Sequence, residues 1–149
     1  MAISQFAAPT DVAALLGGEK ILKRALAKQH DMREVVRKGL PFAALETFVS
    51  TIGIPIAEVI EVLGVATRTL ARRKDRRILT PAESDRLYRL ARIACMAIQV
   101  LGSPEKAKQW LERPNRALGG DTPLSFLDTE IGARQVEAVL GRIAHGIFS

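Results

Sequence analysis

Apolar residues recur at intervals of three and four along almost the whole chain, and this spacing restricts the fold more than any other feature. The interval matches one face of an α-helix, which has 3.6 residues per turn. Most prolines and glycines fall between these periodic runs, where they begin or end helices. The pattern therefore predicts an all-α protein.

The chain before residue 55 divides into four short predicted helices. Val12, Leu15 and Leu16 form one face of the first, which Gly17 and Gly18 stop. The second helix carries Ile21, Leu22, Ala25 and Leu26 on one face. The third is expected to begin with Asp31 as its cap and to end at Gly39, and the fourth runs from Pro41 to Gly53.

A helix-turn-helix is predicted between residues 55 and 77. One face of its first helix carries Ile56, Val59, Ile60 and Leu63. Gly64 then breaks that helix, and Thr67 can cap the next one, whose Leu70 faces the same core. Two helices joined by a short glycine turn are typical of this motif.

The second helix of this motif is strongly basic. Residues 68–77 include six of the chain's 22 basic residues and one acid, a net charge of +5 out of +6 for the whole chain. Such a helix favours DNA binding, because it fits the major groove and its cations displace phosphate counterions. We expect contacts to DNA from Thr67, Arg68, Thr69, Arg72 and Arg73, facing outward, and to phosphates from Lys74, Arg76 and Arg77.

A long helix is predicted after the basic segment. Thr80, Pro81 and Glu83 form a capping box with proline at the first helical position. The apolar seam of this helix consists of Leu87, Leu90, Ala94, Ala97, Ile98 and Leu101. Gly102 ends this helix, and Ser103 and Pro104 begin the next one. Asp128 or Thr129 can cap the last helix, which ends near Gly146. A domain boundary, where there is one, is expected near Thr80.

Reactive groups are too sparse to predict an enzyme. His30 and His145 lie far apart and lack partners at ligand spacing, so no metal site is expected. Cys95 lies on the apolar seam and is expected to be an inert core thiol. We therefore expect no catalytic residue, no metal and no cofactor.

Composition favours a cytoplasmic protein. Aromatic residues make up 5% of the chain, too few to favour stacking of single-stranded bases. A single cysteine excludes an internal disulfide and suits a reducing compartment. No signal peptide or membrane span is expected.

Several motifs in the second half resemble a known family. They are the run Arg113-Pro114-Asn115-Arg116-Ala117-Leu118-Gly119-Gly120, then Thr122-Pro123-Leu124, Leu127-Asp128-Thr129, Gly132-Ala133 and Gly141-Arg142-Ile143. This set resembles the toxin-binding domain of the Xre/MbcA/ParS antitoxins. The basic run from residue 67 to 74, followed by Leu79-Thr80-Pro81, resembles the Xre-type antitoxins that pair with RES-domain toxins. Together these resemblances cover roughly residues 40 to 149.

The resemblance implies a type II antitoxin. Its partner would be a RES-domain toxin that degrades NAD, and neutralisation would consist of occluding the toxin's active site. The helix-turn-helix would bind the promoter of the antitoxin's own operon as a repressor. The toxin-binding residues carried over are Asn115, Arg116, Leu118, Gly119, Gly120, Arg134, His145, Gly146, Ile147, Phe148 and Ser149.

These expectations divide the chain into an N-terminal helical region (1–40), a helix-turn-helix region (41–80) and a C-terminal toxin-binding domain (81–149). One small recognition helix is seldom enough for a specific site, so we expect a homodimer that reads half-sites about 34 Å apart. Two alternatives stay open. In the first, the chain is a stand-alone helix-turn-helix regulator with a dimerisation or ligand domain. In the second, it is an interaction adaptor whose basic segment is only solvated.

Overall fold

The computed structural model describes residues 8–24 and 29–146, and this part of the chain is built from nine α-helices and two short 3₁₀ turns. The α-helices are α1 (Pro9–Leu15), α2 (Gly18–Leu22), α3 (Gln29–Lys38), α4 (Phe42–Ile52), α5 (Ile56–Leu63), α6 (Thr67–Arg76), α7 (Pro81–Leu101), α8 (Pro104–Glu112) and α9 (Glu130–Gly146). The 3₁₀ turns are Arg116–Leu118 and Leu124–Asp128. The predicted all-α class is confirmed.

The long helix α7 is the centre of the fold. Leu87, Leu90, Ile93 and Met96 are fully buried on it, and α1, α3, α4, α5, α8 and α9 pack against it. One hydrophobic core extends from Val12 in α1 to Leu140 in α9. Apolar burial of this extent drives the assembly of helices that are too short to be stable alone.

Helix ends follow the sequence signals in most places. The Thr80 hydroxyl accepts a hydrogen bond from the Glu83 N–H at 3.2 Å, and the Glu83 carboxylate accepts one from the Thr80 N–H at 2.9 Å. The predicted capping box is therefore present. Ser103 caps α8, and the Thr129 hydroxyl accepts from the Gly132 N–H at the start of α9.

Two predicted helix caps are wrong. Thr67 does not cap α6, because the turn is short enough that Thr67 is already helical and Ala66 occupies the capping position. Asp31 lies in the first turn of α3, which begins at Gln29, where its carboxylate still favours the positive helix end. The second helix begins at Gly18 and ends at Leu22, while the predicted positions Ala25 and Leu26 fall outside the described residues.

Hydrogen bonds of Leu40 and Phe42 join the start of α4 to the end of α6 and, across the predicted boundary at residue 80, to α7. The buried Leu40 N–H donates to the Ser84 hydroxyl at 2.7 Å, and the Leu40 carbonyl accepts from Leu79 at 2.9 Å. The Phe42 N–H donates to the Arg77 carbonyl at 2.9 Å. The start of α4 is thereby fixed to the end of α6 and to α7. The three-part division stays a prediction about the roles of the regions.

Gly132 sets how closely α9 approaches the second 3₁₀ turn. A Cβ at this buried position would collide with the carbonyl oxygen of Phe126 and lie 2.9 Å from its carbonyl carbon. Backbone atoms cannot move aside as a flexible side chain can, so only glycine fits here without a shift of α9.

We predict that Gly132→Ala destabilises the protein by about 1 to 3 kcal/mol, because the added methyl group overpacks the contact with Phe126. Thermal unfolding followed by circular dichroism measures the effect. Gly146→Ala is the matched control, since a Cβ there meets no heavy atom within 4 Å. Equal melting temperatures for both variants would contradict the proposed close approach.

Candidate DNA-facing and partner-facing surfaces

The basic helix α6 lies on the surface with no buried residue. Arg68, Arg72 and Arg76 are exposed and spaced by four, so they form one row along the helix. Leu70 is partly buried and packs against the core from the opposite side. Within the described residues, the three arginines of this row form no ion pair. Their charge is therefore available to an external anion.

Arg73 is held inside the protein's own structure. Its Nε donates to the Glu83 carboxylate at 2.8 Å, and its side chain is only 18% exposed. The expectation that Arg73 faces outward is therefore wrong, and Thr69 is also partly covered. The physical reason is that both lie on the same side of α6 as Leu70, which faces the core. A DNA contact by either residue stays a prediction.

Glu83 and Arg73 shift each other's ionisation in favour of the ion pair. Burial alone would raise the pKa of Glu83, but hydrogen bonds from Arg73 and from the Thr80 backbone reverse this and lower it below its usual value. The same bond to Glu83 raises the pKa of Arg73. The Glu83 carboxylate thus caps α7 and holds α6 at once.

A second contact fixes the turn between α5 and α6. Arg86 of α7 donates from Nη1 to the Leu63 carbonyl at 3.0 Å, which satisfies one of the free carbonyls at the end of α5. Gly64 follows with φ of +69°, the left-handed conformation that glycine adopts at lowest cost. Both helices of the motif are therefore attached to α7 by side chains of its first two turns.

The loop at residues 115–121 closes on itself through Asn115. The Asn115 side chain accepts from the Ala117 N–H at 3.0 Å, and its backbone carbonyl accepts from Gly120 at 2.9 Å. Gly119 and Gly120 have positive φ values and are exposed. Arg116 is also exposed, and the 3₁₀ turn that contains it contacts α9. The loop and α9 therefore form neighbouring surfaces.

One side of α9 points into solvent along its whole length. We call this side the outer stripe, and its exposed residues are Ile131, Arg134, Gln135, Ala138, Arg142 and His145. Ile131 is 76% exposed, and the Arg134 side chain is equally exposed with only a 3.6 Å ion pair to Glu130. A single exposed apolar residue is common on protein surfaces, so the outer stripe is of interest as a continuous exposed face and not because of Ile131 alone.

Ion pairs hold the other side of α9 against α7. Arg89 Nε lies 3.1 Å from Glu130, and Arg92 Nη1 lies 2.6 Å from Glu137. Arg92 also reaches Glu130 at 3.6 Å. These partly buried pairs fix the rotation of α9, and they thereby determine which of its residues form the outer stripe.

The structure sorts the residues expected to bind the toxin. Leu118 is only 5% exposed and belongs to the core, so its predicted surface contact is wrong: the 3₁₀ turn directs this side chain inward. Arg134, His145 and Gly146 lie on exposed parts of α9. The remaining tail residues Ile147, Phe148 and Ser149 lie outside the described part of the chain.

Sequence reasoning missed the pairing of Arg73 and the outer stripe as a unit. The spacing of Thr80 and Glu83 signalled the capping box, but nothing in the sequence showed that Arg73 from another helix would join it. The stripe could have been recognised in the sequence from Ile131. The core residues Val136, Val139 and Leu140 are three and four apart, whereas Ile131 lies five before Val136 and so falls on the polar face of the helix.

Cys95 is buried, as the sequence predicted. Burial raises the pKa of the Cys95 thiol to about 11, and nearby Asp11 acts in the same direction, so the thiol is protonated and unreactive at neutral pH. No group of His, Cys, Asp and Glu residues in this part of the chain could hold a metal ion. None of the described helices has the length and apolar content needed for a membrane span.

Comparison with known families matches both halves of the chain. The family described as the antitoxin Xre/MbcA/ParS C-terminal toxin-binding domain matches residues 96–146. The antitoxin Xre-like helix-turn-helix domain matches residues 31–92, which include α3 to α6 and the first part of α7. The matched regions contain both surfaces described above.

Relatives that carry the name Antitoxin Xre are similar to most of this chain. The protein from Yersinia enterocolitica is 35% identical over 117 residues, which cover 76% of this chain and 78% of the relative. The protein from Photorhabdus laumondii is 34% identical over 120 residues, which cover 79% and 81%. The sequence resemblance noted above is thereby confirmed.

One solved structure shares the fold. A chain of the M. tuberculosis MbcT-MbcA toxin-antitoxin complex superposes with a TM-score of 0.56 at 21% identity. The superposition covers 72% of this chain and 96% of that chain.

We predict that Glu83→Gln lowers the melting temperature by several degrees at pH 7, because a neutral amide weakens the bonds to Arg73 and Thr80. The folded-state pKa of Glu83 is lowered, so its contribution is fully present above the ordinary glutamate value of about 4.3 and is lost as the pH falls through the lowered value.

Melting temperatures between pH 7 and pH 3 test this prediction. The wild-type and Glu83→Gln curves should converge at the acid end. Glu46→Gln is the control, because Glu46 is exposed and has no ion pair among the described residues. A constant difference between the wild type and Glu83→Gln at every pH would contradict a role for the ionised carboxylate.

Proposed function

This chain belongs to the Xre/MbcA/ParS family of antitoxins, and from that membership we propose a double role. It neutralises a cognate RES-domain toxin that degrades NAD, and it represses its own operon by binding the promoter. The observation that carries the proposal is that the two family matches each contain one of the two exposed surfaces, α6 and the outer stripe of α9.

The toxin-facing surface is the outer stripe together with the exposed Arg116, Gly119 and Gly120 of the neighbouring loop. Three features support it: Ile131 is an exposed apolar side chain, α9 is fixed by Arg89 and Arg92, and the segment lies within the match to a toxin-binding domain. A rigid helix loses little entropy on binding, so it suits a cleft that must be blocked.

Neutralisation by this surface is steric. The antitoxin would cover the entrance to the toxin's dinucleotide site and would exclude the substrate, and it needs no reactive group of its own. The relatives named Antitoxin Xre support a non-enzymatic role. The tail residues Ile147, Phe148 and Ser149 stay proposed contacts from the resemblance alone.

The RES class of the toxin rests on the resemblance to Xre-type antitoxins and on relatives named Antitoxin Xre. The solved chain of similar fold comes from the MbcT-MbcA toxin-antitoxin complex, which supports a toxin as the partner. We place the protein in the cytoplasm, where promoter DNA and NAD are both found.

Promoter binding falls to α6. Thr67, Arg68 and Arg72 are exposed for base or phosphate contacts, and Lys74, Arg76 and Arg77 are exposed for phosphates. A homodimer that reads two half-sites about 34 Å apart would raise the specificity of this single helix. In this scheme residues 41–80 carry the DNA role and residues 81–149 carry the toxin role, while helices α1 to α3 contribute to the core.

Two variants, each the control of the other, test the double role. We predict that Arg134→Glu loses rescue of growth when the neighbouring RES-domain toxin is co-expressed, because it reverses charge in the outer stripe, while promoter binding is kept. Arg72→Ala should retain rescue and lose about 1 to 3 kcal/mol of promoter affinity where it reads a base. Growth curves and promoter titration provide the two measurements.

The exposed Arg33→Glu in α3 controls for charge reversal in the rescue assay. Full rescue by Arg134→Glu would remove the outer stripe from the mechanism, and unchanged promoter affinity of Arg72→Ala would remove α6. Toxin expressed alone should deplete cellular NAD, and co-expressed antitoxin should restore it. Promoter binding without any toxin partner in the neighbouring reading frames would favour the stand-alone regulator.

A further inference from the structure

A basic groove lies beside the end of α6. It is open, has a volume of about 630 Å³, and is lined by residues of α2, the start of α4 and the end of α6. Among the described residues, its lining includes one acid, Glu46, and four cations, which are Lys20, Lys23, Lys74 and Arg77. Its floor includes the apolar side chains of Ile21, Phe42 and Ile78.

Two of these cations adopt an unusual backbone conformation. Lys23 has φ of +58° and Arg77 has φ of +63°, and within the described residues they are the two non-glycine residues with positive φ. Each ends a helix, at a position where glycine costs least. The left-handed conformation costs a residue with a Cβ more than its cation gains from the helix dipole. Helix termination therefore does not account for a basic residue at both positions.

The groove cations are available to a ligand. Lys20, Lys23, Lys74 and Arg77 are all exposed, and none forms an ion pair with another described residue. Lys74 lies four residues after Leu70, on the side of α6 opposite to the arginine row, whereas Arg77 directly follows Arg76 at the end of the helix. The groove therefore adjoins the arginine row at the C-terminal end of α6, where the two form one positive surface. Such a surface favours a ligand with repeated negative charges over a single carboxylate.

We propose that this groove holds the sugar-phosphate backbone of the duplex whose major groove receives α6, with Lys20 and Lys23 as phosphate contacts. The proposal rests on the proposed promoter binding and extends it to the N-terminal region, for which the sequence motifs gave no role. The apolar side chains of the groove would lie against deoxyribose. The carbonyls at the ends of α2 and α6 carry partial negative charge, which disfavours phosphate, and the four cations would offset it. Backbone contacts of this kind fix the orientation of the protein without reading sequence.

The variant Lys23→Gly removes the charge without straining the backbone, so its effects on stability and on DNA binding can be measured separately. Glycine relieves the left-handed conformation, so the melting temperature should stay the same or rise. The slope of log K against log salt is negative, and loss of one phosphate contact should reduce its magnitude by about 0.9, for promoter and random duplex alike. Adding Lys20→Gln should reduce the magnitude by about 1.8 in total. Fluorescence anisotropy with the full chain between 50 and 300 mM salt, roughly the range over which phosphate contacts dominate, provides the slopes.

Lys106→Gln, an exposed lysine of α8 away from the groove, should leave the slope unchanged. If Arg72→Ala weakens promoter binding while the Lys20 and Lys23 variants keep the wild-type slope, the groove proposal is overturned and the promoter proposal stands. Wild-type protein that binds no duplex at the lowest salt overturns both. A change in sequence selectivity with an unchanged slope would also contradict backbone binding.

Discussion

The carboxylate of Glu83 is the interaction on which the arrangement of the two surfaces depends. It accepts from the Thr80 backbone, which begins α7, and from Arg73, which fixes α6. The side chain is almost fully buried, so leaving its charge without either partner would be costly. One group therefore couples the start of the central helix to the orientation of the basic helix, and Arg86 secures the preceding turn to the same part of α7.

The rest of α7 carries the second surface. Arg89 and Arg92 bind Glu130 and Glu137, and the apolar seam of α7 buries the inner face of α9. The basic and outer faces are thus attached to different turns of one rigid helix by separate ion pairs. This arrangement suits an antitoxin, because each binding event uses a preformed face and needs no chemistry. It also allows both faces to be engaged at once, provided that the partners do not collide.

Local signals in the sequence predicted much of this structure, and contacts between helices supplied the rest. Helix periodicity, the Thr80 capping box and the Gly64 turn depend on neighbouring residues, so they were readable. The pairing of Arg73, the burial of Leu118 and the contact of Gly132 with Phe126 depend on how helices meet, which periodicity does not specify. The left-handed Lys23 and Arg77 were equally hidden, because glycine is the usual signal for that conformation. Family resemblance located the segment that matches a toxin-binding domain, and the structure showed which of its side chains face solvent.

In the proposed function, α6 and the outer stripe of α9 are separate faces that serve separate partners. Hydrogen-deuterium exchange of the full chain, measured alone, with promoter duplex and with the RES-domain toxin, tests this most directly. The account predicts that DNA slows exchange in α6 and leaves α9 unchanged, while toxin slows exchange in α9 and the loop at residues 115–121 and leaves α6 unchanged. Protection of the same helix by both partners, or of α6 by the toxin, would contradict it.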